Sequence, residues 1–395
     1  MRSRPTDARR AVSARDAAAA VTAPTPSPRA NPELLGHEGG EQALLAAARG
    51  GRLAHAWLIT GPAGIGKATL AFRFARYILA RESPGRQGSL LSAQSGEQAA
   101  PGDLPGSAAG LFVAPDHPAF RRVASGGHAD LLTVERGFDE RRDRLRREIV
   151  VDDVRSIGAF LGQTPAEGGW RIVVVDSADA LNRNAANALL KVLEEPPDKA
   201  LLLLISDTPG SLLPTIRSRC RRLALQPLAM DIVTTLLARY QPQLEEAERT
   251  AVAEIADGSI GRALALAGAG AAHLHRDIGR VFLSLPALDV AALHRLCDDV
   301  LKQKDEGFAV LAGLIRWWLA GLARHAAAGS AGRTGAEEAG ARAGLDALAG
   351  AAPLDCWLQV WEKTERLLAV VDSANLDRKQ VLLSIFLDIA ATMRR

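Results

Sequence analysis

The sequence contains only three cysteines, Cys220, Cys297 and Cys356, among 395 residues. Because the number is odd and no two are close in sequence, the cysteines argue against a disulfide framework and a four-cysteine zinc site. No zinc is therefore expected, and three reduced thiols are typical of a cytosolic protein. The chain also lacks an uninterrupted apolar run near the roughly 20 residues that span a bilayer. No membrane segment is expected.

The chain has no strong excess of charge of either sign. Its formal net charge is +3, and 24% of its residues are charged. This balance argues against a protein that binds nucleic acid over its whole surface, but it leaves room for a local basic patch. The length and a hydrophobic content of 48% predict a globular protein of two or three domains.

Two segments have compositions that do not favour a packed core. Residues 1–30 are rich in Arg, Ala and Pro. They resemble a transit peptide in part, but Asp7 and Asp16 interrupt the positive charge, so a disordered tail is the better interpretation. Residues 83–110 are rich in Gly, Ser, Ala, Gln and Pro, which predicts a flexible surface insertion.

Between and after these segments, the hydrophobic pattern changes character. Three continuous apolar runs predict parallel strands buried on both faces: Ala56–Thr60, Arg171–Asp176 and Ala200–Ser206. Helical patterns alternate with them, so residues 31–228 are predicted to form a parallel α/β domain. Only helical patterns follow Leu228, which predicts a small helical domain over 229–270 and a larger one over 271–395.

A glycine-rich loop follows the first predicted strand. Gly61-Pro62-Ala63-Gly64-Ile65-Gly66-Lys67 fits the pattern G-x-x-x-x-G-K. In such loops, glycines let backbone N–H groups turn toward phosphate oxygens, and the next helix presents its positive N-terminal end. Lys67 would reach the terminal phosphates. The strand, loop and helix in succession predict a P-loop fold, with Gly61, Gly64, Gly66 and Lys67 as candidate nucleotide-binding residues.

Two chemical groups needed for ATP hydrolysis are missing from the expected positions. The Ser or Thr that binds magnesium after the lysine is replaced by Ala68. Thr69 comes next, but one helical step rotates it by about 100°. Asp176 ends a predicted strand, where it could hold magnesium through water, yet Ser177 stands where active ATPases carry a glutamate. The site is therefore predicted not to hydrolyse ATP. Whether ATP or ADP binds without hydrolysis stays open.

A basic segment runs from Thr215 to Arg222 and contains Arg217, Arg219, Arg221 and Arg222. It is interpretable as a solvated turn, as a phosphate-binding patch, or as the source of an arginine finger. A guanidinium supplied to a neighbouring subunit stabilises charge on a γ-phosphate. Spacing alone does not decide among these interpretations.

Several motifs resemble one family. Ser218-Arg219-Cys220 is similar to the SRC motif of clamp loader subunits. The segment from Asn184 to Pro197 is similar to a long segment that precedes this motif in the same subunits. Gly258–Leu264 resembles their sensor 2 segment, with Arg262 in the arginine position. The chain thus resembles the AAA+ clamp loader subunits of bacterial DNA polymerase III. Its incomplete nucleotide site beside an intact SRC motif resembles the delta-prime class better than gamma/tau.

This resemblance implies an AAA+ domain followed by a helical lid and a helical collar that holds subunits together. It implies that Arg219 acts in trans on a neighbour's ATP. The implied partners are gamma/tau and delta subunits in a hetero-pentameric ring, with the sliding clamp and primed DNA reached through the complex. The ring belongs to the cytoplasmic DNA-directed DNA polymerase holoenzyme, a nucleotidyltransferase.

Two alternatives and one departure accompany the resemblance. An active gamma/tau-like ATPase is disfavoured by Ala68 and Ser177. A helicase-like DNA-binding protein would require a stronger basic excess or exposed aromatic residues. Many relatives carry a four-cysteine zinc module in the α/β domain, which this chain cannot build. His117 and His128 flank that place but lack partners, and they are not expected to bind metal.

Overall fold

The computed structural model describes the chain over residues 25–51, 53–82, 110–139, 144–302, 304–328, 348–371, 374 and 376–394. The predicted tail up to residue 24, and the predicted insertion up to residue 109, lie outside the described residues. Arg29 was assigned to the tail from sequence, but it contacts the folded chain. The carbonyl oxygen of Arg29 accepts a hydrogen bond from Arg76 Nη1 at 2.8 Å.

The α/β part is built on a parallel sheet of five strands. The strands of the described chain are β1 (Ala56–Thr60), β2 (Leu131–Val134), β3 (Phe138–Asp139), β4 (Arg144–Leu145), β5 (Arg171–Val175), β6 (Ala200–Ser206) and β7 (Arg221–Ala224). The sheet order is β2-β5-β6-β1-β7, and every neighbouring pair is parallel. Strands β3 and β4 form a separate antiparallel pair.

Helices flank the sheet, and helices follow it along the described chain. Those up to residue 240 are α1 (Glu38–Arg49), α2 (Lys67–Glu82), α3 (Pro118–Ala124), α4 (Val151–Leu161), α5 (Arg183–Glu194), α6 (Pro214–Arg219) and α7 (Met230–Tyr240). The later ones are α8 (Glu246–Ala256), α9 (Ile260–Gly268), α10 (Ala271–Leu283), α11 (Val290–Leu301), α12 (Lys304–Ala328), α13 (Leu354–Val370) and α14 (Arg378–Thr392).

The sheet is buried on both faces, as its apolar strands predicted. Every residue of β1, β5 and β6 is buried. Alternate side chains of these strands enter two separate core clusters. One cluster contains residues of α1 and α2, and the other contains residues of α4 and α5. The predicted parallel α/β architecture is confirmed, and the observed β1 and β6 have the predicted bounds.

Two sheet strands have no counterpart in the sequence prediction. The segment from Thr215 to Arg222 was interpreted as a turn, but it forms α6 and the start of β7. Strand β7 pairs only with β1, so it is an edge strand, and its burial is slight. An edge strand with exposed arginines carries no apolar run, which is why the pattern was missed. Strand β2, on the opposite edge, is only partly buried.

The chain divides into two compact units. Among the described residues, the first contains those up to Tyr240 and Asp257–Arg262, and the second contains Gln241–Ala256 and those from Ala263 onward. Helix α7 thus lies in the first unit, although sequence placed it in the small helical domain over 229–270. The division of the helical region into a lid and a collar stays a prediction.

The second unit has its own aromatic core. The Trp318 ring stacks on Phe282 with centroids 4.8 Å apart, and Trp318 is 1% exposed. Trp357 is equally buried. These two tryptophans are therefore core residues.

Helix α12 contains a segment, Gly307–Ala327, that is long and apolar enough to cross a membrane by length and composition alone. Arg316 and Arg324 interrupt this segment, so it is not an uninterrupted apolar run. Half of the hydrophobic window is buried within the protein. Arg316 lies inside the segment and pairs with Glu365 of α13 at 2.7 Å. Burial and this ion pair are typical of a core helix.

A buried histidine predicts how the second unit responds to acid. His275 packs against the rings of Trp317 and Trp318, and burial lowers its pKa from 6.5 to about 4. The unfolded chain therefore takes up a proton as the pH falls below 6.5, whereas the folded chain stays neutral until about pH 4. The contribution of His275 to the free energy of unfolding is therefore present in full above pH 6.5, and about 3 kcal/mol of it is lost by pH 4.

The measurement is urea unfolding followed by tryptophan fluorescence at pH 7 and pH 4, for the wild type and for His275→Phe. The phenyl ring keeps an aromatic side chain in place but cannot titrate. The variant should lose about 3 kcal/mol less than the wild type over this interval. Equal losses in both proteins would contradict the prediction.

Candidate functional site

The loop between β1 and α2 depends on its glycines. Gly61, Gly64 and Gly66 have φ angles of +149°, +74° and +107°, where other residues are strained. A Cβ at Gly61 would lie 2.6 Å from the carbonyl oxygen of Leu225. The loop thus follows a path that these glycines permit, and α2 begins directly after it at Lys67.

Lys67 is buried and engaged with its own chain. Its side chain is only 4% exposed, and its Nζ donates a hydrogen bond to the carbonyl oxygen of Pro62 at 2.5 Å. The same Nζ lies 2.6 Å from Oδ1 of Asp207, the residue directly after β6. The ammonium group is therefore neutralised by a carboxylate of this chain.

The first turn of α2 supplies no hydroxyl next to the lysine. Ala68 offers only a methyl group, which packs against the core. Thr69, the alternative candidate from sequence, is buried, with 9% of its surface exposed. Its role as a nucleotide-binding residue stays a prediction.

Asp176 follows β5, and its backbone N–H donates to the carbonyl oxygen of Val134 at 2.9 Å. Burial raises the pKa of its carboxyl group, and so do the negative charges of Glu135 and Asp207, while Lys67 acts in the opposite sense. Ser177, where a catalytic glutamate would be expected, adopts a left-handed conformation with φ +63°. Asp176 therefore faces an environment that is unfavourable to added negative charge.

The predicted sensor 2 segment lies against the glycine loop. Ser259 Oγ donates to the carbonyl oxygen of Ala63 at 2.8 Å, and the Gly261 N–H donates to that of Gly64 at 2.9 Å. The Arg262 N–H in turn donates to Ser259 Oγ at 3.1 Å. Within the described chain, the Arg262 guanidinium has no hydrogen-bond or ion-pair partner. The structure thus brings Arg262 next to the loop, although 195 residues separate it from Lys67.

Arg219 lies at the end of α6 on the protein surface. Ile216 and Cys220 enter the core on either side, so the side chains between them are directed outward. Arg219 Nη1 donates to the carbonyl oxygen of Thr215 at 3.0 Å, and Nη2 pairs with Glu194 Oε1 at 2.8 Å. Both charged side chains are well exposed, at 36% and 50%, so the pair contributes little to stability. The guanidinium can exchange Glu194 for a stronger anion at low cost.

The neighbouring arginines are arranged differently. Arg221 lies over the ring of Trp57, with its guanidinium carbon 4.7 Å from the ring centroid. Arg217 is exposed, and its side chain makes no hydrogen bond or ion pair within the described ranges. Only Arg219 is held by a carboxylate among the described side chains of this cluster.

The glycine loop and Arg219 lie at opposite ends of two neighbouring parallel strands. Strands β1 and β7 are parallel, with Trp57 opposite Arg221 and Thr60 opposite Ala224. The loop follows the carboxyl end of β1, whereas Arg219 precedes the amino end of β7. The length of a strand, about 15 Å, separates these two ends. This distance exceeds the reach of an arginine side chain. Arg219 therefore does not serve its own loop.

The two histidines considered as metal ligands accept backbone hydrogen bonds instead. His117 Nδ1 accepts from the Ala119 N–H at 3.1 Å, and His128 Nδ1 accepts from the Asp130 N–H at 3.2 Å. Burial lowers the pKa of both rings. Within the described parts of the chain, no group of three or more His, Cys, Asp or Glu residues is arranged to hold a metal ion.

Sequence reasoning missed two residues that the structure places at these sites. Asp207 follows an apolar parallel strand, the same signal that identified Asp176, so it could have been found. Glu194 ends α5 and contacts Arg219 only because the helix and α6 are adjacent in space. No local pattern indicates that contact.

The sheet order and the loop define the class of protein. Strand β6 lies between β1, which leads into the glycine loop, and β5, which ends at Asp176. This arrangement, with helices on both faces, is that of a P-loop protein of the AAA+ type. The fold class predicted from the motifs is therefore confirmed.

Comparison with known proteins gives a narrower result. Residues 114–229 match the family model described as DNA polymerase III, delta subunit. The chain is 38% identical to DNA polymerase III subunit delta' of Pseudomonas aeruginosa over 173 residues, 43% of each chain. It is 32% identical to the delta' subunit of Escherichia coli over 56% of this chain and 57% of that protein.

Similarity extends to gamma/tau subunits. The chain is 29% identical to DNA polymerase III subunit gamma/tau of Mycobacterium bovis, over 67% of this chain and 42% of that protein. The chain thus spans about half the length of the curated relatives that it matches. It is similar to the delta-prime subunits of DNA polymerase III, as its motifs predicted.

Proposed function

We propose that this chain is a delta-prime-like clamp loader subunit that helps to load the sliding clamp onto primed DNA. In this proposal it supplies Arg219 to the ATP of a neighbouring subunit and hydrolyses little or no ATP itself. Its partners are gamma/tau and delta subunits in a hetero-pentameric ring in the bacterial cytoplasm. Similarity to delta-prime and gamma/tau subunits supports a place in the loader.

The position of Arg219 is the observation that carries the proposal. A guanidinium that stabilises a γ-phosphate must lie near a nucleotide. Arg219 is exposed, is held by a weak surface ion pair and one hydrogen bond within its own helix, and lies at the opposite end of the parallel strands from its own glycine loop. A nucleotide bound by another subunit is the partner that this placement suits.

The chain's own loop supports the second half of the proposal. Lys67 is paired with Asp207, and Ala68 and Ser177 replace the magnesium-binding hydroxyl and the catalytic glutamate. The alternative function is that of an active gamma/tau-like ATPase, which similarity to gamma/tau subunits favours. The two functions differ in whether the isolated chain turns over ATP.

We expect the purified full chain to release almost no phosphate from ATP in the presence of magnesium. Without the hydroxyl, no magnesium ion is held to neutralise the charge on the phosphates, and without the glutamate, the attacking water is not activated. A phosphate-release assay on the chain, with a gamma/tau subunit of the same bacterium as positive control, measures this. Turnover comparable with the control would favour the gamma/tau-like alternative.

Assembly tests the role in the ring. The full chain is mixed with the gamma/tau and delta subunits of the same bacterium and analysed by size-exclusion chromatography. A complex containing all three, which stimulates clamp loading on primed DNA, is the expected result. Failure to join the complex would refute the proposal.

A further inference from the structure

The most unusual feature of the glycine loop is the pairing of its lysine. Lys67 Nζ lies 2.6 Å from Asp207 Oδ1 and donates to the carbonyl oxygen of Pro62 at 2.5 Å. An ammonium group has three donor positions, and two are used by oxygen atoms of the same chain. The lysine side chain is 4% exposed, whereas that of Asp207 is 45% exposed, so the buried ammonium group meets a carboxylate that is itself open to solvent. A phosphate oxygen would find one donor position left, and it would approach that position against the negative charge of Asp207.

The position of Asp207 follows from the alternation of β6. Leu201, Leu203 and Ile205 belong to the core cluster that contains residues of α2, and Asp207 comes next in the same alternation. The carboxylate is therefore on the α2 face of the sheet, at the carboxyl end of a central strand. This is the place where the terminal phosphates of a nucleotide meet the lysine in P-loop proteins.

The negative charges at this end of the sheet also oppose the binding of a nucleotide. Burial first, and then the charges of Glu135 and Asp207, raise the pKa of Asp176, while Lys67 lowers it. The carboxylates of Glu135 and Asp207 thus lie near enough to Asp176 to act on it, at the end of the sheet where Lys67 lies. ATP and ADP are themselves polyanions, and Ala68 leaves no hydroxyl to hold a compensating magnesium ion. The residues present do not fit a bound nucleoside triphosphate or diphosphate, although Arg262 adds one exposed positive charge nearby.

We infer that Asp207 is the residue that excludes nucleotides from this site, because its carboxylate takes the position at Lys67 that a phosphate would otherwise occupy. The loop then has a structural use, since its carbonyl groups at Ala63 and Gly64 accept the hydrogen bonds of Ser259 and Gly261. This inference deepens the proposed function by naming what keeps the subunit's own site out of the ATP cycle.

The test is equilibrium binding of a fluorescent ADP analogue to the purified full chain, with and without magnesium. The wild type should show no saturable binding below millimolar concentration. Asp207→Asn keeps the size of the side chain but removes its charge, and it should bind at least about tenfold more tightly. The double variant Asp207→Asn with Lys67→Ala should lose this binding again, because the freed ammonium group is what holds the phosphate.

The matched control is Asp198→Asn, which makes the same charge change just before the opposite end of β6, at an exposed residue. It should bind no better than the wild type. Micromolar binding by the wild type would overturn the inference whatever the variants do. So would a folded Asp207→Asn variant, verified by circular dichroism, that binds no more tightly than Asp198→Asn.

These outcomes are independent of the arginine finger. Binding to the isolated chain does not involve Arg219 or a partner subunit, so a failure here would leave the ring assays unaffected. Conversely, a ring that ignores the loss of Arg219 would leave the role of Asp207 intact.

Discussion

Replacing Arg219 with alanine is expected to slow ATP hydrolysis at the neighbouring subunit's site by about 10³-fold or more, the usual contribution of an arginine finger to kcat. Folding should be unaffected, because the side chain is exposed and its pair with Glu194 is a weak surface interaction. The reconstituted ring, assayed with clamp and primed DNA, should lose the share of steady-state turnover that this interface supplies. Single-turnover measurements should reveal it as a missing fast phase.

The same helix supplies a matched control for this experiment. Arg217 lies two residues before Arg219 in α6 and is also exposed. Arg217→Ala should change the ring rate by less than about twofold. Arg219→Lys should behave nearly like Arg219→Ala, because an ammonium group lacks the planar fork that grips a phosphate. If the loss instead follows Arg217, the finger has been assigned to the wrong residue.

Removing the carboxylate of Asp130 is expected to destabilise the α/β unit by about 3–5 kcal/mol. Asp130 lies just before β2 and accepts hydrogen bonds from the N–H groups of Ala166 and Glu167 at 2.8 and 3.0 Å. Its Oδ1 also lies 3.8 Å from Nη2 of Arg171, the first residue of β5, and both side chains are buried. Asp130→Ala would leave the guanidinium buried without a counter-charge.

Urea unfolding of the full chain measures this loss, and Asp152→Ala is the matched control. Asp152 pairs with Arg155 at 2.9 Å, but these side chains are 78% and 72% exposed. Its removal should cost less than about 1 kcal/mol. Similar losses for the two variants would mean that the buried pair is not what anchors β5 and, with it, Asp176.

The sequence predicted the central strands well because those strands are defined by their own side chains. β1 and β6 are continuous apolar runs, and burial on both faces requires such runs. The edge strand β7 begins with Arg221 and Arg222, which look like a turn in isolation. It becomes a strand because β1 offers it backbone hydrogen bonds. The pairing partner, rather than local composition, decided that element.

The candidate site divides in the same way. The residue type alone carries the inference at Ala68, at Ser177 and in the motif Ser218-Arg219-Cys220, so the sequence was sufficient there. The partners of the charged groups could not be read, because they come from distant parts of the chain. Lys67 meets Asp207 only because β6 lies beside β1.

By itself, the sequence determined that a P-loop domain is present, that two hydrolytic groups are missing from it, and that an SRC motif follows. The tertiary structure decided that Asp207 neutralises Lys67. It also decided that Arg219 lies at the end of the parallel strands opposite to its own loop. The physical reason is that the direction and order of parallel strands set which residues meet. Strand order is a property of the whole sheet and is not encoded in any single segment.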